Sequence, residues 1–274
     1  MQNPIDLDSV LDVAKLAAQR AGEVLLRYQR EGFKAESKSD TGTTLSYNLV
    51  TAADVDSERV VGDTISDAFP HHALLGEENL DGDVNASDLW IIDPLDGTNN
   101  YVHGVPHYAV SIGYYRDGLP MVGVVYCPAT NQWFTAVKGR GATHNDQRVY
   151  VAKENSLSQV LVGCGFYYDR GEMMRRTLRT IEALFARDIH GIRRFGTASL
   201  DLCYVGCGLL GAFFEYQLSP WDFAAGRLFV EEAGGKVTNC DGSPLTMEKT
   251  SVLASNRHLH AEMLAVIAQS QTND

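Results

Sequence analysis

The sequence predicts a mixed α/β fold, and three observations along its 274 residues support this. Residues 7–29 carry apolar side chains at helical spacing, which predicts an amphipathic helix. Short apolar runs separated by turn residues follow between 73 and 137, which predicts a largely antiparallel sheet. Beyond residue 160, segments typical of strands and helices alternate, which favours a layer of helices on a second sheet.

The first half contains two predicted helices and five predicted strands. Residues 34–48 are polar and lack periodicity, so they are expected to form a surface loop or a hairpin. Thr51 is a candidate cap for a second helix, which is expected to begin near Ala52 and to end before Pro70. The predicted strands are 73–76, 89–92, 108–115, 121–126 and 132–137.

The second half begins with a predicted strand over 160–165 and a basic amphipathic helix over 171–187. No long linker separates the halves, so we expect a single domain over 1–274 with a seam near 150–158. The other predicted elements are a strand over 191–195, a helix from Thr197 to about Gly206, a strand over 211–216, and a helix over 221–235 that ends at a glycine pair.

Composition excludes several classes of function. The net charge of −12 argues against non-specific nucleic-acid binding, which needs a basic surface. The five cysteines are odd in number and form no C-x-x-C pair, so reduced thiols in a cytoplasmic protein are expected. The N-terminus lacks the basic and apolar pattern of a signal peptide, and no apolar run is long enough to span a membrane. We therefore expect no nucleic-acid or membrane partner.

The hexapeptide DPLDGT, residues 93–98, follows the apolar run 89–92 and is the strongest chemical signal. Mg²⁺ prefers carboxylate and carbonyl oxygens, which Asp93, Asp96 and the Leu95 carbonyl could supply. The glycine and threonine that follow offer backbone N–H groups and a hydroxyl, and a helix beginning there would favour a phosphate. A simple turn at the end of a strand is the alternative for these residue types.

Further acids occur at the ends of predicted elements. Glu77 and Glu78 follow a short apolar strand, where adjacent carboxylates are usually solvated. Asp54 and Asp222 lie at the starts of predicted helices. For these two the alternative is a simple helix-start acid, whose interaction with the helix dipole contributes less than about 1 kcal/mol.

The sequence contains the motifs GEEN (76–79), WIIDPLDGTNNYVHG (90–104) and WDFAAGRLFVEEAGG (221–235), supported by LVTAAD (49–54) and RRFGTASLDLC (193–203). Together, these motifs resemble the inositol monophosphatase family of metal-dependent sugar phosphatases. The resemblance implies a layered α/β/α/β/α sandwich of the inositol monophosphatase and fructose-1,6-bisphosphatase type, a homodimer, and Mg²⁺ as cofactor, with two ions and a weak third. It would place the metal ligands mainly in the first half (about 1–155), and the substrate contacts and Asp222 in the second (about 156–274).

The resemblance also implies a role for each motif residue. Thr98 and Asp54 would orient and activate the attacking water, with help from Glu77. Glu77, Asp93 and the Leu95 carbonyl would bind the first metal ion, and Asp93, Asp96 and Asp222 would bind the second. The implied substrate contacts are the backbone N–H groups of Gly97 and Thr98 for phosphate, with Ala198, Glu215 and Asp222 around the rest of the molecule.

The implied activity is Mg²⁺-dependent hydrolysis of inositol monophosphate, of the myo-inositol-1-phosphate type, to inositol and phosphate by metal-activated water. Glu215 at the sugar-contact spacing favours this substrate over histidinol phosphate, fructose 1,6-bisphosphate and 3′-phosphoadenosine 5′-phosphate. A binding or regulatory protein that retains the fold is the alternative of another class. The family's aspartate near the weak third metal corresponds here to Asn48, and Lys38 is the candidate loop lysine; this altered loop bears on the lithium inhibition that the resemblance implies.

Overall fold

The computed structural model describes residues 5–37 and 49–271. Most of the predicted loop over 34–48, with Lys38 and Asn48, therefore lies outside the described residues. Two short strands, β1 (Ala35–Ser37) and β2 (Leu49–Thr51), pair in antiparallel fashion on either side of the gap. This pairing agrees with the hairpin interpretation of the segment.

The two predicted N-terminal helices are present as α1 (Leu7–Glu31) and α2 (Ala52–Ala68). The α2 helix begins with a capping box, in which the side chains of Thr51 and Asp54 bond to each other's backbone N–H groups. Both helices bury their apolar faces against one face of the first sheet.

The first sheet has seven strands that neighbour one another in chain order, and it contains all five predicted strands. Strand β3 is parallel to β4, and every later pair is antiparallel, which confirms the largely antiparallel prediction. The last two strands are short and were not predicted. The strands are β3 (Ala73–Gly76), β4 (Asp88–Asp96), β5 (Ala109–Arg116), β6 (Leu119–Cys127), β7 (Gln132–Val137), β8 (Gly141–His144) and β9 (Gln147–Arg148).

Strand β4 continues four residues beyond the predicted end and contains an irregularity that decides where its acids point. Asp93 pairs with Ser111 and Asp96 with Ala109, so three steps along β4 oppose two steps along β5. In a regular strand, side chains three positions apart lie on opposite faces. The bulge adds one residue to β4 between the two acids, so Asp93 and Asp96 point to the same face of the sheet.

The second sheet has five strands in the order β11-β10-β12-β14-β13, and it is mixed. Strand β10 is parallel to both neighbours, whereas β14 is antiparallel to both of its own. Strands β13 and β14 and helix α7 were not predicted. The elements are β10 (Leu161–Cys164), α4 (Glu172–Phe185), β11 (Gly191–Arg193), α5 (Ala198–Gly206), β12 (Ala212–Leu218), α6 (Pro220–Glu232), β13 (Lys236–Thr238), β14 (Thr250–Ser255) and α7 (His260–Ser270), with the short α3 (Thr98–Val102) before β5.

These elements stack in five layers. Helices α1 and α2 cover the outer face of the first sheet, and α5 and α6 lie between the two sheets. Helices α4 and α7 pack on the outer face of the second sheet. The arrangement confirms the predicted α/β/α/β/α sandwich. Within the residues described, no helix combines the length and apolar character needed to cross a bilayer.

Helix α6 lies unusually close to the first sheet because two strand positions facing it are glycines. A Cβ atom on Gly123 would lie 2.7 Å from the Ala225 carbonyl oxygen, and one on Gly113 would lie 3.1 Å from the Ala224 Cβ. The helix backbone therefore rests on the strands with no side chain between them. This contact fixes the start of α6, where Asp222 lies.

Candidate active site

A cavity of about 310 Å³ opens where the ends of β3 and β4 meet α3, α5, α6 and β12. It brings together residues that are far apart in the sequence. The predicted site residues that line it are Glu77, Asp93, Leu95, Asp96, Gly97, Thr98, Ala198, Glu215 and Asp222. The fold therefore gathers several carboxylates around one cavity.

Backbone N–H groups fix three of these carboxylates. Asp93 accepts a hydrogen bond of 3.0 Å from the Leu95 N–H, two residues further along the bulged strand. Asp96 accepts one of 2.7 Å from the Ser199 N–H in the first turn of α5. Asp222 is the third residue of α6 and accepts one of 2.6 Å from the N–H of the capping residue before the helix. Asp222 is thus both a helix-capping acid and a residue of the cavity wall.

Burial and mutual repulsion raise the pKa values of these acids. Burial is the largest cause for Asp93, and the charges of Glu77, Asp96 and Asp222 then raise its pKa further. The Asp222 pKa is raised by burial and then by the charges of Asp96 and Glu77. Burial raises the pKa of Asp96 to about 6, although its hydrogen bonds from α5 act in the opposite direction. The four acids are close enough to repel one another, and a bound cation would relieve this repulsion.

The donor set fits Mg²⁺ rather than a softer metal, because it consists of carboxylates and the Leu95 carbonyl. No ion pair within the described ranges neutralises Asp93, Asp96 or Asp222. Within 5–37 and 49–271, no group of three or more His, Cys, Asp or Glu side chains is arranged to hold a metal ion by itself. Mg²⁺ tolerates such an open site, since it usually keeps several waters and takes few protein ligands.

Asp54 does not line the cavity but reaches it through Thr98. The Thr98 hydroxyl lies 3.2 Å from Asp54 Oδ1 and 3.1 Å from the Leu95 carbonyl oxygen. The other carboxylate oxygen of Asp54 accepts bonds of 2.7 and 2.6 Å from the N–H and hydroxyl of Thr51. Asp54 therefore caps α2 and also orients a hydroxyl of the site.

Gly97 occupies a position that no other residue could take without strain. Its φ of +90° lies in the left-handed region, and a Cβ there would collide with the Thr197 hydroxyl oxygen. Immediately after it, Thr98 begins α3 and lines the cavity. Gly97 and Thr98 thus lie beside the carboxylates on the cavity wall.

The C-terminal half contributes the opposite part of the wall. Burial raises the pKa of Glu215 to about 8, while the charge of Arg194 lowers it. Gly165 also lines the cavity, and a Cβ on it would collide with the Glu215 carboxylate. Ala198 is the first residue of α5 and lines the same wall.

One acid of the wall escaped prediction. Asp201 lies within α5, is 1% exposed, and has a carboxylate oxygen, Oδ1, without a hydrogen-bond partner. Burial raises its pKa well above the usual range, followed by the charges of Asp96 and Glu215. The signal in the sequence was an acid in an otherwise apolar helical segment, ASLDLCYVG.

Comparisons with known proteins identify the family of this chain. Residues 6–272 match the model of the inositol monophosphatase family. The chain is 38% identical to Nus factor SuhB of Pseudomonas aeruginosa, over 95% of this chain and 96% of that protein. It is 37% identical to the inositol-1-monophosphatase of Synechocystis, over 97% and 91%. The solved structure of an inositol monophosphatase from Anabaena superposes with a TM-score of 0.85 at 38% identity, covering 97% of each chain. The chain belongs to the inositol monophosphatase family.

Proposed function

We propose that this protein is a Mg²⁺-dependent phosphomonoesterase that hydrolyses inositol monophosphate or a similar small polyol phosphate. The observation that carries the proposal is the convergence of Glu77, Asp93, Asp96 and Asp222 on one cavity. Membership of a phosphatase family and the inositol-1-monophosphatase relative support it. An acidic protein needs bound cations to attract an anionic substrate, which agrees with the net charge of −12.

The proposed metal ligands fall into two overlapping sets. Bound Mg²⁺ would lower the pKa of the attacking water and stabilise the leaving alkoxide. Asp93 belongs to both sets, because the charges of Glu77, Asp96 and Asp222 all act on it. The sets are Glu77, Asp93 and the Leu95 carbonyl, and Asp93, Asp96 and Asp222.

Thr98 and Asp54 together would orient and activate the attacking water. The Thr98 hydroxyl has one proton, which it can donate to Asp54 or to the Leu95 carbonyl oxygen. Its lone pairs then accept a hydrogen bond from the water and orient an oxygen lone pair of the water toward phosphorus. Glu77, on the same cavity, would assist in removing the proton.

The substrate would bind between the two halves of the wall. Backbone N–H groups of Gly97 and Thr98 would donate to phosphate oxygens at the start of α3. The Glu215 carboxyl would accept hydrogen bonds from hydroxyl groups of the polyol, with Ala198 and Asp222 beside it. A buried acceptor of this kind disfavours an alcohol that lacks the matching donor.

A panel of phosphomonoesters tests the proposal. Inositol 1-phosphate, histidinol phosphate, fructose 1,6-bisphosphate and 3′-phosphoadenosine 5′-phosphate are compared by kcat/KM while Mg²⁺ is titrated. We expect Mg²⁺-dependent phosphate release, fastest with inositol 1-phosphate. Equal or faster turnover of histidinol phosphate would overturn the substrate assignment. A lack of Mg²⁺-dependent release from all four would overturn the phosphatase assignment.

A binding or regulatory role is a second candidate, and the relative named Nus factor SuhB favours it. Genetic complementation separates the two roles, because Asp96→Asn removes a proposed metal ligand without changing the protein's shape. If this variant restores a deletion strain as fully as the wild-type chain, the role that the strain needs is binding. Failure of the stably folded variant to restore the strain supports hydrolysis.

Further proposals follow from family membership and, for the location, from the sequence. We infer a homodimer in the cytoplasm, inhibited by lithium. Sedimentation equilibrium measures the mass of the assembly, and cell fractionation measures its location. Titration of LiCl into the hydrolysis assay measures inhibition, and a weak third Mg²⁺ would appear as a second phase in a calorimetric Mg²⁺ titration.

A further inference from the structure

A buried acid outside the cavity holds the loop that carries Glu77. Glu58 lies in α2 and is 1% exposed. Its Oε1 accepts a hydrogen bond of 2.9 Å from the backbone N–H of Glu78, and its Oε2 accepts one of 2.6 Å from that of Asn79. Hydrogen bonds to an ionised acceptor are among the stronger ones in proteins. The Glu58 carboxylate therefore clamps the chain on the C-terminal side of Glu77.

The chain on the N-terminal side of Glu77 is shaped to admit this carboxylate. Gly76 is the last residue of β3, and a Cβ at this position would collide with Glu58 Oε1. The Gly76 backbone N–H donates a hydrogen bond of 2.9 Å to the Leu80 carbonyl, which closes the loop. The glycine is thus needed for space, and the loop folds around the Glu58 carboxylate.

Helix α2 connects this clamp to the other acidic motif. Asp54 and Glu58 are four positions apart, so their side chains project from the same face of the helix. Asp54 contacts Thr98 at the end of the bulged strand, while Glu58 holds the loop after β3. One helix therefore contacts two of the three motifs that would supply metal ligands.

We propose that Glu58 is a positioning residue that places the Glu77 carboxylate for metal binding. The inference rests on the proposed function, because Glu77 is assigned there as a metal ligand. Loss of the clamp would remove the hydrogen bonds that Glu58 accepts from the N–H groups of Glu78 and Asn79, and the loop would relax. Groups that orient a metal ligand from behind it typically contribute 10- to 100-fold to metal affinity.

Two substitutions separate positioning from charge. Glu58→Gln keeps the shape but replaces one acceptor oxygen by a donor, so it can satisfy only one of the two N–H groups. Glu58→Asp keeps the charge but is one methylene too short to span both. Asp63→Asn is the matched control, because it removes one negative charge from an exposed position on the same helix.

The decisive measurement is a calorimetric Mg²⁺ titration of each metal-free protein without substrate, alongside thermal unfolding of the same samples. We expect both Glu58 variants to bind Mg²⁺ at least about 10-fold more weakly than the wild-type chain, with Asp63→Asn unchanged. In hydrolysis assays, the Mg²⁺ concentration for half-maximal activity should rise by the same factor, and saturating Mg²⁺ should restore most of kcat.

The outcomes distinguish this inference from the proposed function. Wild-type Mg²⁺ affinity in both folded variants would overturn the role of Glu58 and leave the phosphatase assignment intact. Weak binding by Glu58→Gln with normal binding by Glu58→Asp would also overturn it, because charge alone would then explain the effect. Should either variant fail to fold, Gly76→Ala displaces the same carboxylate, and unchanged Mg²⁺ affinity there overturns the inference. A wild-type chain that neither binds Mg²⁺ nor hydrolyses phosphomonoesters would instead refute the proposed function.

Discussion

The Asp96 carboxylate accepts a 2.7 Å hydrogen bond from the backbone N–H of Ser199, a residue 103 positions later in the chain. The bond joins the bulged strand of the first sheet to the first turn of a helix between the sheets. The N–H groups in the first turn of the helix have no partner within the helix, so a negative charge is favoured there. Burial nevertheless raises the Asp96 pKa to about 6.

Asp96→Asn should reduce hydrolysis at least about 100-fold, because the amide cannot supply a negative charge to the metal site. Steady-state phosphate release at saturating Mg²⁺ measures the effect. Asp117→Asn is the control, since it makes the same change at an exposed turn that already has a left-handed φ of +50°. Retained activity of Asp96→Asn would show that Asp96 does not hold an essential metal ion.

Gly97→Ala should lower both stability and activity. The methyl group costs about 1 kcal/mol through the left-handed backbone, and its collision with the Thr197 hydroxyl adds to this. Gly104→Ala isolates the first effect, because Gly104 has a φ of +70° with open space around it. Urea unfolding should show the larger loss for Gly97→Ala, and kcat should fall only in that variant. Equal losses in the two variants would contradict the packing argument.

Thr98→Val should reduce kcat by about 100-fold, because it removes the hydroxyl that lies between Asp54 and the Leu95 carbonyl. The substitution preserves the volume but removes a hydrogen-bond donor, so the free energy of unfolding of the metal-free protein should fall by about 1 kcal/mol. Thr98→Ser restores the hydroxyl and should stay within a few-fold of the wild-type rate. An inactive serine variant that remains folded would show that the methyl group, rather than the hydroxyl, matters here.

The metal-free protein should lose stability as the pH rises, partly through Glu215. Burial raises the pKa of this carboxyl from 4.5 in the unfolded chain to about 8 in the folded chain. The folded state therefore binds the proton more tightly, and this contribution is present below 4.5 and lost as the pH approaches 8. The stability difference between wild type and Glu215→Gln should fall by up to about 1.4 kcal/mol per pH unit in this range. Urea unfolding at several pH values measures it, and a flat difference would contradict the burial.

The sequence predicted most of the elements, because their signals are local. Helical periodicity placed α1, and the capping pair of Thr51 and Asp54 placed the start of α2. The short strands β8, β9 and β13 lacked such signals, since strands of two to four residues depend on their neighbours for pairing. Strand β14, of six residues, and helix α7, of eleven, are apolar segments that were also not predicted.

Two features of the site depend on the tertiary structure and could not be predicted from local sequence patterns. Residue spacing alone would send Asp93 and Asp96 to opposite faces, and only the pairing with β5 reveals the bulge that unites them. Glu58 was overlooked because a helical glutamate is normally solvated, and its partners are backbone groups 20 and 21 positions away. The role of Glu58 can be recognised only from the packing of the loop after β3 against α2.

Helix α6 packs directly on Gly113 and Gly123. This buried contact, rather than the surface loops, determines how deep the cavity is. A bulkier residue at either glycine would lift the helix away from the strands and carry Asp222 away from Asp93, although neither glycine touches the cavity. The spacing of the acids at the base of the cavity is therefore set independently of the loops around its mouth. Exchanging the loops around the mouth should change which substrate is preferred. Bulkier residues at Gly113 or Gly123 should abolish hydrolysis.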